Sequence, residues 1–509
     1  MESLRSKGSD LHNHPREPCA GNPPVPFIST SPQSATSLGP SCLQQFPFAD
    51  AALFEALFNN GVNGPPAENE DCLFLNVWAP AAASATNRVP VLVWIYGGAL
   101  SFGTASLPAY DGTSIAANQG IILVTFNYRT NVFGFPGSPD LPLPGNNLGF
   151  LDQGGACPSM GSDEYRQVRG KSSPSNDNGS ICGISVGQLF HCKAYRERRT
   201  LPSRDNALRG ASIHATYPIF HIIQQLFDGG WVHASAWAGA ARMLEAGACE
   251  CYPDLYQWTH QWLLCASRRW VLSPVFSDPL LRIRTGLTAR VPFIIGNTQN
   301  DGSVFAVGLN DLNAFLTTTF LGLITAAEVR PLYPGLTSDN AIIAEIIKDV
   351  EFLCPAELWS NAAVGAGIPN VFRYTYGMFS TQRTFFHPTD WTRIPGPVFA
   401  DLQLFPNAGA WHSTELPEIF GTFNATTASA AEVALSKTMQ TLVGNFVKNP
   451  TVSPASNWPK YFPGPLTTTL AKLAYNGNVA PTNVVQAVES DSIDGPCNAF
   501  WNTFLDVRE

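Results

Sequence analysis

Three stretches in the first third of the chain carry strand periodicity. CLFLNVWAP, from Cys72, alternates apolar and polar positions as a half-buried strand does. VPVLVWIYGG, from Val89, is a continuous apolar run ending in glycines, and IILVTFNYR, from Ile121, reads as a third strand. Between the last two, SIAANQG forms a short helical crossover. Strand, crossover and strand in that order predict a parallel sheet with helices on its faces. The same texture returns from about Ser277: VPFIIGNTQNDG is a buried strand ending in a turn and NVFRYTY is another. SKTMQTLVGNFVKNP is an amphipathic helix with Met439, Leu442, Val443 and Phe446 on one stripe.

Two segments break the pattern. Residues 1–41 are polar and rich in Pro and Ser, with neither helical nor alternating period, and read as a loose leader. Residues 154–276 hold six of the eleven Cys and five of the nine His, together with the basic run RERR at 196–199, and few clean apolar periods. The remainder, 42–509, is expected to form one domain in which 154–276 is atypical; a misread frame or a retained intron would account for that segment.

Of the 509 residues, 45% are hydrophobic and 11% aromatic, enough for a large core and against disorder. Only 14% are charged, and the net charge of −9 is the wrong sign for neutralising phosphates, which excludes nucleic acid as a partner. The apolar stretch Val89 to Tyr110 is interrupted by Gly97, Gly98, Gly103 and Pro108, and Leu312 to Ala327 is short and rich in Thr, so no transmembrane helix is expected. The opening residues MESLRSKGSDLHNHPREPCAG lack the apolar centre of a secretory signal.

Five motifs follow one another along the chain: EDCLFLNVWAP (70–80), VLVWIYGGALSFG (91–103), NNLGFLDQ (146–153), GNTQNDGSVF (296–305) and GAWHSTELPEIFGTF (409–423). Together they resemble the type-B carboxylesterase and lipase family, which includes cholinesterases and fungal lipases, over 42–153 and roughly 277–509. The resemblance implies an α/β-hydrolase fold, a central and mostly parallel sheet flanked by helices, and a cofactor-free serine hydrolase acting on small-molecule or lipid esters. The family also includes adhesion proteins that keep the fold and lose the serine, so a binding role, or a damaged and inert chain, is the alternative.

Each motif has a chemical reading beside a structural one. Acyl transfer builds negative charge on a carbonyl oxygen, and backbone amides held close to it need small residues around them. A Gly-Gly pair also makes an ordinary strand-to-loop turn; the resemblance maps Gly98 and Ala99 to oxyanion donors. His412 follows the small-residue run Asn407-Ala-Gly-Ala in a loop, where a general base is useful, although a lone His is commonly structural. Matched to the family's G-x-x-H-[ST]-x-E-[LI]-P pattern, it becomes the base, with Glu415 a buried partner. Asp301 lies where the family carries the acid that orients the base, usually Glu; Asn-Asp-Gly is equally a turn sequence. One G-x-S-x-G match, Gly183 to Gly187, lies between the third and fourth motifs and nominates Ser185 as nucleophile and the Val186 amide as third oxyanion donor. The family writes Gly-Glu-Ser-Ala-Gly there, after a helix beginning RxALxWV that is missing behind Gln153.

Cys42 and Cys72 flank FPFADAALFEALFNN, whose Phe48, Leu53, Phe54, Leu57 and Phe58 form an apolar face. The resemblance implies a disulfide there, closing a flap over the active-site mouth, and a second between Cys354 and Cys497; the alternative is four buried thiols. An apolar flap points to a fatty or aromatic acyl group. Two disulfides and the sequons at Asn424 and Asn178 imply secretion. Cys249, Cys251, His260 and Cys265 do not have metal-ligand spacing, and no metal or phosphate-binding loop is expected.

Overall fold

A computed structural model places the apolar runs in sheets. It describes residues 4–10, 35–46, 51–59, 64–84, 87–137, 146–153, 179–185, 189–195, 279–286, 290–377, 409–423, 428–474 and 483–506, with a few isolated positions besides. These fall into two compact units, one mainly before residue 187 and the other mainly after residue 278.

In the first unit the strands are β1 (Leu4–Asp10), β2 (Phe74–Ala79), β3 (Val91–Ile95), β4 (Ile122–Phe126) and β5 (Gly179–Ser185), in spatial order β1-β2-β4-β3-β5. β3 runs parallel to β4 and to β5, while β2 is antiparallel to β4 and to β1. β3 is central, and all five of its residues are buried, as a strand covered on both faces requires. β2 departs from simple alternation. Asn76, Val77 and Trp78 are all buried, and Asn76 is accommodated by donating its amide to Thr125 Oγ1 at 3.0 Å and to the Ala105 carbonyl at 3.3 Å. α2 (Thr113–Gln119) is the crossover between β3 and β4. Part of the segment read as a leader is the edge strand β1, which has no apolar alternation to announce it.

In the second unit β6 (Leu189–Tyr195), β7 (Phe293–Thr298), β8 (Val371–Tyr376), β9 (Leu470–Leu473) and β10 (Val485–Val488) are neighbours in that order. β7, β8 and β9 are mutually parallel, and β6 and β10 are antiparallel to their neighbours. Its helices include α3 (Leu312–Phe320), α4 (Asp339–Lys348), α5 (Cys354–Gly365), α6 (Leu416–Phe420) and α7 (Ala430–Lys448). α7 starts with a capping box: the Glu432 amide donates to Ser429 Oγ at 3.1 Å and the Ser429 amide to Glu432 Oε2 at 2.6 Å. Met439, Leu442, Val443 and Phe446 are buried along it, the stripe expected from the sequence.

α3, α4 and α5 pack a core of Leu312, Leu316, Phe320, Ile342, Ile346 and Trp359 against β7 and β8. The carboxyl-terminal helical residues close this core through Trp501, which stacks on Phe320 at 5.6 Å, and through a buried Arg373–Asp494 pair with contacts of 2.6 and 2.9 Å. Such a pair stabilises little when intact but is costly to break from one side.

Candidate active site

In the first unit the chain leaves β3 through Tyr96 and turns sharply. Gly98, Ala99 and Leu100 have φ of 122°, 51° and 63°, three consecutive residues in the left-handed half of conformational space. A Cβ on Gly98 would lie 2.1 Å from the Phe102 carbonyl oxygen, so only glycine fits there. The turn is held from within by the Ser101 and Phe102 amides, which donate to the Gly98 carbonyl at 2.9 and 3.1 Å. From outside, Gln44 Oε1 accepts from the Gly103 amide at 2.6 Å and Asn127 Oδ1 from the Ala105 amide at 2.8 Å. Tyr96 and Tyr128 stack at 4.4 Å and each donates its hydroxyl to the other's carbonyl at 2.9 Å, locking the ends of β3 and β4 together. Neither the Gly98 nor the Ala99 amide donates a hydrogen bond to any described residue.

The Cys42–Cys72 disulfide is present, with α1 (Ala51–Phe58) in its loop. Phe58 lies 6.4 Å and Phe46 4.6 Å from the Phe102 ring, so an aromatic wall stands beside the Gly98 turn. The 30-residue loop gives the bridge about 3.7 kcal/mol in the chain-entropy account. Behind the turn, Asp152 of the third motif accepts two bonds from the Arg129 guanidinium, at 2.7 and 2.8 Å, and one from the Arg129 amide at 3.0 Å, all buried.

Ser185 is the last residue of β5, in parallel register with Ile95 at the end of β3. Both strands therefore finish at the same end of the sheet, the end from which the Gly98 turn departs. Val186 lies outside the described residues, and the next described element is the strand β6 where a nucleophile elbow would lead into a helix.

In the second unit, Asp301 follows β7 and His412 sits before α6. Their side chains meet, with His412 Nδ1 3.0 Å from Asp301 Oδ1. Asp301 is fully buried, and its other oxygen accepts from the Thr298 amide at 2.7 Å, which fixes the carboxylate plane. The two loops are tied by the Asn300 amide donating to the Ala410 carbonyl at 3.0 Å and the Ala410 amide donating to Asn300 Oδ1 at 3.1 Å. His412 keeps 13% of its side-chain surface exposed, enough to reach a reactant. Its ring lies 5.3 Å from Phe305 and 4.9 Å from Phe352. The tautomer that donates Nδ1–H to Asp301 leaves the lone pair on Nε2.

Two more carboxyls lie buried on the inner side of the His412 loop. Burial, reinforced by the nearby Asp301 charge, pushes Glu415 up to about 7, so it sits neutral below that pH and does not compete with Asp301 as a second anion. Burial, with Glu432 nearby, pushes Glu418 up to about 8, and neither of its oxygens has a hydrogen-bond partner among the described residues. Sequence reasoning anticipated Glu415 as buried but not Glu418, because nothing in LPEIF distinguishes a buried carboxylic acid from an exposed one.

Cys354 and Cys497 are joined, tying α5 to the carboxyl-terminal helical residues. Asn424, Asn178, Cys249, Cys251, His260 and Cys265 lie outside the described residues. Among the described residues no His, Cys, Asp and Glu group could hold a metal ion, and no helix is long and apolar enough to cross a membrane.

Comparison with known proteins adds an independent line. The carboxylesterase family model matches residues 22–157 and 336–490, more than half of the chain. The chain is 28% identical to the para-nitrobenzyl esterase of Bacillus subtilis (strain 168) over 421 residues, covering 78% of each. It is 26% identical to carboxylesterase 1D of Rattus norvegicus, over 84% of this chain and 78% of that protein. Against lipase 2 of Geotrichum candidum the figures are 28% identity, 69% and 72%. A solved structure of a PNB esterase superposes with a TM-score of 0.60 at 21% identity, covering 98% of this chain and 95% of that one. The fold is that of the α/β-hydrolases.

Proposed function

The chain belongs to the carboxylesterase family and is a carboxylic ester hydrolase, and we propose that Ser185, His412 and Asp301 carry its acyl-transfer chemistry. Ser185 Oγ attacks the ester carbonyl carbon while His412 Nε2 takes its proton. The tetrahedral oxyanion is met by the amides of Gly98, Ala99 and Val186. Collapse expels the alcohol, to which His412 returns the proton, and water then cleaves the acyl-enzyme by the same route in reverse roles. Asp301 holds the imidazole tautomer and stabilises the imidazolium.

The single observation that carries this reading is the 3.0 Å contact between His412 Nδ1 and the buried carboxylate of Asp301, in a chain of this family. The aromatic wall of Phe46, Phe58 and Phe102 beside the Gly98 turn supports an ester with a fatty or aromatic acyl part. A fluorophosphonate probe tests the nucleophile: labelling is expected, and it should vanish in Ser185→Ala. Labelling that persists in that variant would assign the chemistry to another serine, and a folded chain that never labels would favour a binding role.

The disulfides Cys42–Cys72 and Cys354–Cys497 and the sequons at Asn424 and Asn178 support a secreted, glycosylated protein. Endoglycosidase treatment of secreted material should then increase its gel mobility. Residues 154–276 are read as a segment atypical of the family within a single hydrolase domain, in keeping with a family match that stops at 157 and resumes at 336. Peptide mass spectrometry recovering 160–270 as written would dismiss a misread frame.

A further inference from the structure

We propose that Phe352, delivered by a π-helical turn between α4 and α5, is a positioning residue for the imidazole of His412. The inference rests on the reading of His412 as the general base and concerns what holds it in place.

α4 ends at Lys348 and α5 begins at Cys354; the five residues between them, Asp349–Leu353, form a π-helical turn. The Cys354 amide donates to the Asp349 carbonyl, five residues back. A π turn inserts one residue into a helix and rotates what surrounds it, and such turns are frequent at functional sites. Here its product is a buried Phe352 whose ring lies 4.9 Å from the His412 ring and 5.8 Å from that of Phe305. Phe305 in turn is 5.3 Å from His412, so the imidazole has an aromatic contact on each of two elements distant in sequence.

The turn is anchored on its other side. Tyr333 donates its hydroxyl to Asp349 Oδ2 at 2.8 Å and accepts from Trp501 Nε1 at 2.8 Å, while Lys348 Nζ lies 3.2 Å from Asp349 Oδ1. The residue that closes the turn, Cys354, is bridged to Cys497. The same helix also supports the acid. A Cβ on Gly302, next to Asp301, would lie 1.9 Å from the Ala344 carbonyl and 2.7 Å from the Lys348 nitrogen. The Asp301 turn thus rests directly on the backbone of α4, one helical turn before Asp349. One helical run therefore sets the acid through backbone contact and the base through the Phe352 ring. A hydrogen bond at Nδ1 fixes one ring nitrogen and does not by itself fix the ring plane; rings packed against the imidazole restrict its turning.

The test is steady-state hydrolysis of a short p-nitrophenyl ester by the full chain. Phe352→Leu, which keeps an apolar side chain and loses the ring, is expected to lower kcat about ten- to a hundredfold with KM within about threefold, because a misplacement near 1 Å costs on that order. Phe352→Tyr, which keeps the ring, should return kcat to within about threefold of the parent. A Phe352→Leu enzyme with parental kcat overturns the proposal. So does an equal loss in both variants accompanied by an equal fall in melting temperature, since packing alone would then explain it. If Phe352→Leu does not fold, Phe352→Met takes its place under the same criteria. His412→Ala separates this claim from the one beneath it: parental activity in that variant removes the base assignment, whereas a dead His412→Ala beside a parental Phe352→Leu removes only the positioning role.

Discussion

The Gly98 turn and the Asp301–His412 pair are held by different means. The turn is fixed at the backbone, with three consecutive positive φ angles and buried side chains, Gln44 and Asn127, accepting from its amides. The pair is fixed at the side chains. Beside it Gly409 and Ser413 have positive φ, at 64° and 75°, but they are separated in sequence, and the ring itself is set by a hydrogen bond and aromatic contacts. The difference follows from what each region would present. Amide hydrogens can be aimed only by bending the main chain, and local strain of about 1–3 kcal/mol per residue is tolerated where surrounding bonds over-determine it. An imidazole is aimed by two side-chain torsions, so packing is the effective control.

Perturbations of the two regions should differ in kind. The largest effect is expected for His412→Ala, a fall in kcat of about ten-thousandfold to a millionfold with the melting temperature little changed, read by ester hydrolysis beside differential scanning fluorimetry. Asp301→Asn should cost about ten-thousandfold by releasing the tautomer, again chiefly in kcat. In the other region, Gly98→Ala should lose about a hundred- to a thousandfold in kcat/KM and also lower stability, because it disturbs backbone rather than one side chain. A Gly98→Ala enzyme with full activity would end the oxyanion assignment.

Smaller effects sharpen the contrast. Glu418 has a folded-state pKa raised to about 8 by burial, above its unfolded value, so its neutral form is favoured by the fold. Below the unfolded value the native and unfolded states bind this proton alike; between about 4.5 and 8 only the native state keeps it, so stability falls as pH rises through that window. The slope is at most about 1.4 kcal/mol per pH unit, and Glu418→Gln should flatten it in denaturant melts at pH 5 and pH 8. Smallest of all, Ala99→Gly relieves a left-handed alanine and should stabilise by about 0.5–1 kcal/mol, with ester hydrolysis retained.

The parts of the site legible in the sequence are those whose signal is local. The apolar runs at β3, β4 and β7, the Gly-Gly at the end of β3 and the α7 stripe each declare themselves within a dozen residues, because strand and helix periods are short. β1 was illegible, since LRSKGSD has one apolar residue in seven and so no alternation to read. Phe352 was illegible for a different cause. In EFLCP it is one more apolar residue, and its role comes from a π turn and from a ring 60 positions further along.

By itself the order of residues determined the strands and crossover, the family, and the chemical types on which hydrolysis would draw, for these depend on local pattern and on side-chain chemistry. The tertiary structure alone decided that Asp301 and His412, 111 residues apart, share a hydrogen bond. It alone decided that Ala99 and Leu100 accept positive φ, and that burial raises the pKa of the Glu418 carboxyl. Each of these is a free-energy balance between groups remote in sequence, where burial and packing outweigh the preference of the isolated residue, and no local period encodes such a balance.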